Sequence, residues 1–153
     1  ARLGVNNVVV QIDIVDNSII TNSGGLERDG LAFEHLAGLY GAGMWVKCSY
    51  NTAGGVHGLG GTPLRANYPG GAYDEDNPWY YDATHDIFRK NRPKDKNGEV
   101  CASWTLNTTR GDWECPLTKP EETRDEIIAG KIYQWDESAY QADNSKGWVL
   151  ENI

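Results

Sequence analysis

Apolar positions near the start of the chain fit two competing periods. In VNNVVVQIDIVDNSII, residues 5–20, the run Val8 to Val10 with Ile12 and Ile14 alternates against Gln11 and Asp13, as in a strand. The same segment sets Val5, Val8, Val9, Ile12, Val15 and Ile19 at steps of three and four, with Asn7, Gln11 and Ser18 on another face, as in a helix. β-Branched side chains lose rotamer freedom in a helix, which favours the strand. Sixteen residues is long for a strand, which favours the helix. The pattern alone leaves the two readings balanced.

Further along, the pattern is clearer. Gly24 and Gly25 break the first element, Leu31 to Tyr40 reads as a short helix or irregular turn, and GMWVKCSY, residues 43–50, reads as a strand. Residues 52–73 are glycine-rich and read as nearly structureless; a loop of that length in a compact domain is usually functional or mobile, and otherwise counts against the element assignment. Two hairpins are predicted next, over 79–90 and 99–115, separated by the charged turn PKDKNG. In the first, PWYYDATHDIFRKNRP, an aromatic strand (Trp79, Tyr80, Tyr81) meets a polar turn and then Ile87, Phe88 and Arg89. Thr118, with Glu121 three residues on and Pro120 between them, predicts an N-capped short helix running to Ile128 and stopped at Gly130. Two strands, KIYQW and GWVLENI, joined by a polar loop, close the chain. No internal repeat and no linker is evident, so residues 1–153 read as one domain.

Composition narrows the function classes. A formal charge of −8 repels phosphate backbones and anionic lipid heads, which argues against nucleic acid and membrane surfaces as partners. No apolar run approaches the roughly 20 residues a membrane span requires. The chain begins at Ala1 without a signal peptide, which reads as a mature or trimmed form. Six Trp, eight Tyr and eighteen Gly suit short strands and long turns around aromatic anchors. Of three cysteines, Cys101 and Cys115 flank the arms of the second hairpin, where cross-strand positions reach disulfide distances; a bridge there implies an oxidising compartment.

Candidate chemistry is sparse. The acidic stretch YDEDN offers Asp74, Asp76 and Asn77 as first ligands for Ca²⁺, which takes oxygen donors from flexible loops, although EF-hand spacing is absent. His35, His57 and His85 lie far apart with no zinc spacing. No G-x-S-x-G motif occurs, and GGVHGLGG lacks the G-K-[ST] ending of a phosphate loop. Arg110-Gly111-Asp112 sits in a hairpin turn where Gly and Asp are expected for backbone reasons. Trp45, Trp104, Trp135 and Trp148 read as core. Tyr68, Tyr73, Trp79, Tyr80 and Tyr81 flank the glycine loop and, if exposed together, would form a platform for stacking on sugar.

The aromatic hairpin of 78–93, with its Tyr-Asp turn and Arg-bearing strand, resembles a segment of type IV pilin-like and pseudopilin proteins. That resemblance implies an α+β fold in which an N-terminal helix, here within residues 1–22, packs on an antiparallel β-sheet, and it tips residues 5–20 toward helix. It likens Cys101 and Cys115 to the late disulfide of pilins and suits Ca²⁺ in a loop. The implied function is a non-enzymatic filament subunit of a pilus or pseudopilus, extracytoplasmic, with other filament subunits as partners. The alternative is a secreted all-β sandwich, lectin-like, binding surface glycans through the Tyr68, Tyr73 and Trp79 to Tyr81 cluster.

Overall fold

The computed structural model describes residues 1–71 and 74–153. Contacts group into two units, one of residues 1–91 with 108–111 and one of residues 92–107 with 112–153. The chain passes from one unit to the other three times, so no single linker-like stretch marks a boundary.

The first unit opens with β1 (Arg2–Leu3), a 3-10 turn (Val5–Asn7) and β2 (Val9–Gln11), followed by α1 (Asn17–Ile20), α2 (Asp29–Tyr40) and β3 (Met44–Trp45). β1 is the central strand, antiparallel to both β2 and β3. These elements overturn the pilin-like architecture, because the expected N-terminal helix on a sheet is absent. Asn6 and Asn7 adopt left-handed backbone at φ 56° and 59° and end any helix before it starts. The β-branched residues that follow pair as a strand. Asp16 accepts the amide and hydroxyl of Ser18 and caps a helix of only four residues. The all-β sandwich fails as well: among the described residues the strands form five separate sheets of two or three strands, beside a 12-residue helix.

Residues 52–73, expected to lack structure, contain the small hairpin β4 (Thr52–Ala53) and β5 (Val56–His57). Asn67 organises the surrounding backbone. Its Oδ1 accepts the Gly54 amide at 2.8 Å, and its Nδ2 donates to the carbonyls of Phe88, Arg110 and Gly111 at 3.1, 3.0 and 3.3 Å. The aromatic hairpin forms as the sequence predicts, with β6 (Tyr80–Asp82) antiparallel to β7 (Ile87–Arg89). Fully buried Phe88 joins Ala1, Leu3 and Val9 in the core, with Ile12, Val46, Trp79 and Tyr81 packed around them.

In the second unit β8 (Thr105–Asn107) pairs with β9 (Asp112–Glu114). α3 (Arg124–Ile128) is capped by Thr123 and Glu126 in a reciprocal capping box, not by Thr118 and Glu121, so the helix begins one capping motif later than expected. β10 (Lys131–Trp135) and β11 (Trp148–Asn152) form a five-residue antiparallel ladder. Their connection, expected as a polar loop, holds α4 (Glu137–Ala142), started by Asp136 accepting the Ala139 amide. Trp135 centres the packing, with Trp104, Tyr140 and Trp148 at ring distances of 6.0, 5.2 and 5.3 Å.

The hairpins repeat, which the sequence pattern had not revealed. β8–β9 matches β6–β7 at a 25-residue offset, Tyr80 falling on Thr105 and Ile87 on Asp112. Trp79 corresponds to Trp104, Asp82 to Asn107, Thr84 to Thr109 and Phe88 to Trp113. Both turns end on a left-handed residue, Asp86 at φ 52° and Gly111 at φ 70°. The third hairpin has an aromatic-Asp step at Trp135-Asp136, as the first has at Tyr81-Asp82; the second has Leu106-Asn107 there.

Candidate functional site

A concavity of about 300 Å³ lies in the first unit. Ile12, Ile20, Leu36, Trp45 and Leu64 are among its apolar walls, and Ile14, Phe33 and Tyr50 are among its most exposed lining. α2 places Leu36 inward, leaves Leu39 more than half exposed, and keeps Phe33 and Tyr40 about two-fifths exposed. Lys47 lies at the concavity and pairs with Glu27 and, at 3.3 Å, with Asp29. Trp45 is buried, and its Nε1 has no hydrogen-bond partner. Large exposed apolar residues concentrate in this part of the chain: Val5 and Ile14 are more than four-fifths exposed, and Leu26, Leu39, Met44 and Tyr50 more than half.

The aromatic residues expected to form a platform are distributed among different environments. Tyr68 lines the large concavity. Trp79 packs against the core, carries the Lys90 ammonium 4.8 Å from its ring centre, and lines a second cleft of about 230 Å³ with Gln11 and Asp74. Tyr81 packs on Phe88 and donates its hydroxyl to Asp86 at 2.6 Å. Tyr80 lies under the Arg89 guanidinium. Tyr73 lies outside the described residues.

The expected Ca²⁺ ligands form a self-contained turn in which Asp74 Oδ1 accepts the amides of Asp76 and Asn77 at 3.0 and 3.2 Å. Among the described residues no group of three His, Cys, Asp or Glu side chains converges as a metal site requires. His57 accepts the Leu59 and Gly61 amides, and His85 faces Asp82, so neither is poised toward an open site.

Sequence reasoning passed over two carboxylates in the second unit. Glu137 is only 5% exposed and receives the Ser103 amide and hydroxyl, the Trp135 indole N–H and the Gln141 amide, at 2.8 to 2.9 Å. Asp95 accepts the amides of Asn97, Glu99 and Glu137. Burial by itself raises both carboxyls, but these donors outweigh it and hold each below its ordinary value. The network is saturated with donors, which makes it architectural. In sequence Asp95 carries only a turn signal, D-x-N-G, and Glu137 reads as an exposed acid following an N-cap.

Cys101 is buried and Cys115 half-buried, both as thiols. Burial, then the Glu137 and Asp95 carboxylates and Cys115, push the Cys101 thiol up to about 11. Burial also raises Cys115. Among the described residues no helix is long and apolar enough to cross a membrane. No family model, curated protein or solved structure matches the chain.

Proposed function

We propose that the chain is a non-enzymatic structural subunit of an extracytoplasmic assembly and that it joins a neighbouring subunit through the apolar concavity of its first unit. The observation that carries this reading is the number of large exposed apolar side chains in residues 1–50, of which Ile14, Phe33 and Tyr50 line that concavity. Monomeric soluble proteins rarely leave large contiguous apolar patches in water, and protein contacts are their commonest use. Assembly through a continuous N-terminal helix is not part of this reading.

Sedimentation velocity across a concentration series tests it. The wild-type chain self-associates, and association strengthens as salt screens the repulsion between copies that each carry −8. Phe33→Glu, at an exposed lining position, shifts the distribution toward monomer while leaving the far-UV spectrum unchanged. A chain that stays monomeric at every concentration and salt overturns the reading.

A second reading rests on the cleft beside Trp79, where Gln11, Asp74 and Lys90 bring polar groups to an aromatic edge. An acidic glycan suits Lys90 there. A glycan array compared with Trp79→Ala decides it: binding lost in the variant supports a lectin-like role, and an empty wild-type array removes it.

A further inference from the structure

The ladder of β10 and β11 has two outer edges, and the fold treats them differently. Which backbone groups face outward follows from the bonds at the two ends of the ladder, Asp136 N–H to the Gly147 carbonyl at 2.8 Å and Ile153 N–H to the Gly130 carbonyl at 2.9 Å. Hydrogen-bonded pairs alternate along an antiparallel ladder, so Ile132 bonds with Glu151 and Gln134 with Val149. The N–H and C=O groups of Lys131, Tyr133 and Trp135 therefore point away from the ladder on one side, and those of Trp148, Leu150 and Asn152 on the other.

The β10 edge is guarded. Glu122 Oε1 accepts the Tyr133 amide at 2.9 Å, the Trp135 carbonyl accepts the Lys96 amide at 3.0 Å, and Lys131 sets an exposed charged residue at the start of the strand. The β11 edge is open. Among the described residues no hydrogen bond reaches the outward backbone groups of Trp148, Leu150 and Asn152. The strand has no Pro, no Lys and no bulge, and its one charge, Glu151, is already paired with Lys96.

We propose that β11 pairs edge to edge with β11 of a second copy of this chain, antiparallel about a two-fold axis at Leu150, so that the ladders of both copies join in one sheet. Self-complementarity identifies the occupant. With the axis at Leu150, each Leu150 exchanges both its bonds with the partner's Leu150, Trp148 and the partner's Asn152 do the same, and every outward group of the strand is satisfied. Val149 then lies opposite the partner's Glu151. Moving the axis to Glu151 sets two carboxylates opposite each other and takes Trp148 out of the pairing, and moving it to Val149 takes Asn152 out. The contact is isologous and closes at two copies. It uses the second unit alone and is independent of the contact proposed at the concavity of the first.

Hydrogen exchange read amide by amide across a concentration series tests the proposal, in salt that screens the −8 on each copy and with Phe33→Glu beside the wild type. Exchange at Trp148, Leu150 and Asn152 slows about ten-fold or more as the chain associates, while Val149 and Glu151, already bonded to β10, change little. Phe33→Glu gives the same alternating protection. In that background Leu150→Pro leaves the ladder intact, because the Leu150 N–H faces outward, and weakens association about ten-fold or more. Val149→Glu also weakens it, by facing the partner's Glu151, whereas Val149→Lys does not. Association that leaves the three amides exchanging at their dilute rate overturns the β11 contact and spares the concavity. Alternating protection in a chain whose association ignores Phe33→Glu does the reverse. A chain that is monomeric throughout overturns both. Protection of the three amides in the dilute monomer also overturns the β11 contact, and equal weakening by Val149→Glu and Val149→Lys overturns its register.

Discussion

The two units fasten irregular backbone in chemically different ways. The first gathers three carbonyls and one amide around Asn67, a neutral side chain that is 6% exposed. The second gathers amides, a hydroxyl, an indole and a side-chain amide around the carboxylates Asp95 and Glu137. A carboxylate accepts only, and its charge-assisted bonds are the stronger ones; an amide donates and accepts, with no charge to titrate. The second unit is therefore held more firmly at neutral pH and is the more vulnerable to acid.

The sharpest way to break this contrast is Glu137→Ala, which strands four donors at once, the buried Trp135 indole among them. It should destabilise the chain by about 3 kcal/mol, with loss of amide protection at Ser103. Asn67→Ala is the matching lesion in the first unit and should cost about 2 kcal/mol, read as a lowered urea midpoint with protection lost at Gly54.

Acid supplies the next test. Both carboxyls titrate below their ordinary values when folded. Their contribution is therefore complete above the unfolded carboxylate range, near about pH 4, and is lost as pH falls through the lowered folded values. Protection at the amides around Asp95 and Glu137 should fall in acid before that around Asn67. Glu137→Gln should flatten the dependence, and equal acid sensitivity at the two anchors would erase the distinction. The smallest effect belongs to Glu27→Gln at the solvent-facing Lys47 pair, which should change the unfolding free energy by less than about 0.5 kcal/mol.

The hairpins were legible because their residues act locally: aromatic and β-branched arms on either side of Asx and Gly turns leave few other conformations. The first twenty residues were not. Their apolar spacing fits a helix, and the decision fell to Asn6 and Asn7, whose left-handed backbone depends on tertiary context. Thr118 and Thr123 both carry the capping pattern, and Pro120, which would have suited the earlier start, did not decide between them. Asn67, Asp95 and Glu137 were invisible because a polar residue's burial depends on partners far along the chain, here up to 44 residues away. The exposed apolar face of α2 was equally hidden, since sequence shows which residues are apolar but not which ones the fold leaves uncovered.

The repeated hairpin also says where this protein can be lengthened. In β10–β11 an entire helical turn and its flanking loop sit between Asp136 and Gly147, yet the five-rung ladder below them is intact. The matching end of β6–β7 is shorter, and its Ala83, Thr84 and His85 are exposed. A peptide tag, a fluorophore-bearing cysteine or an epitope grafted at that tip should be carried without disturbing the ladder, giving the chain a handle remote in sequence from both termini.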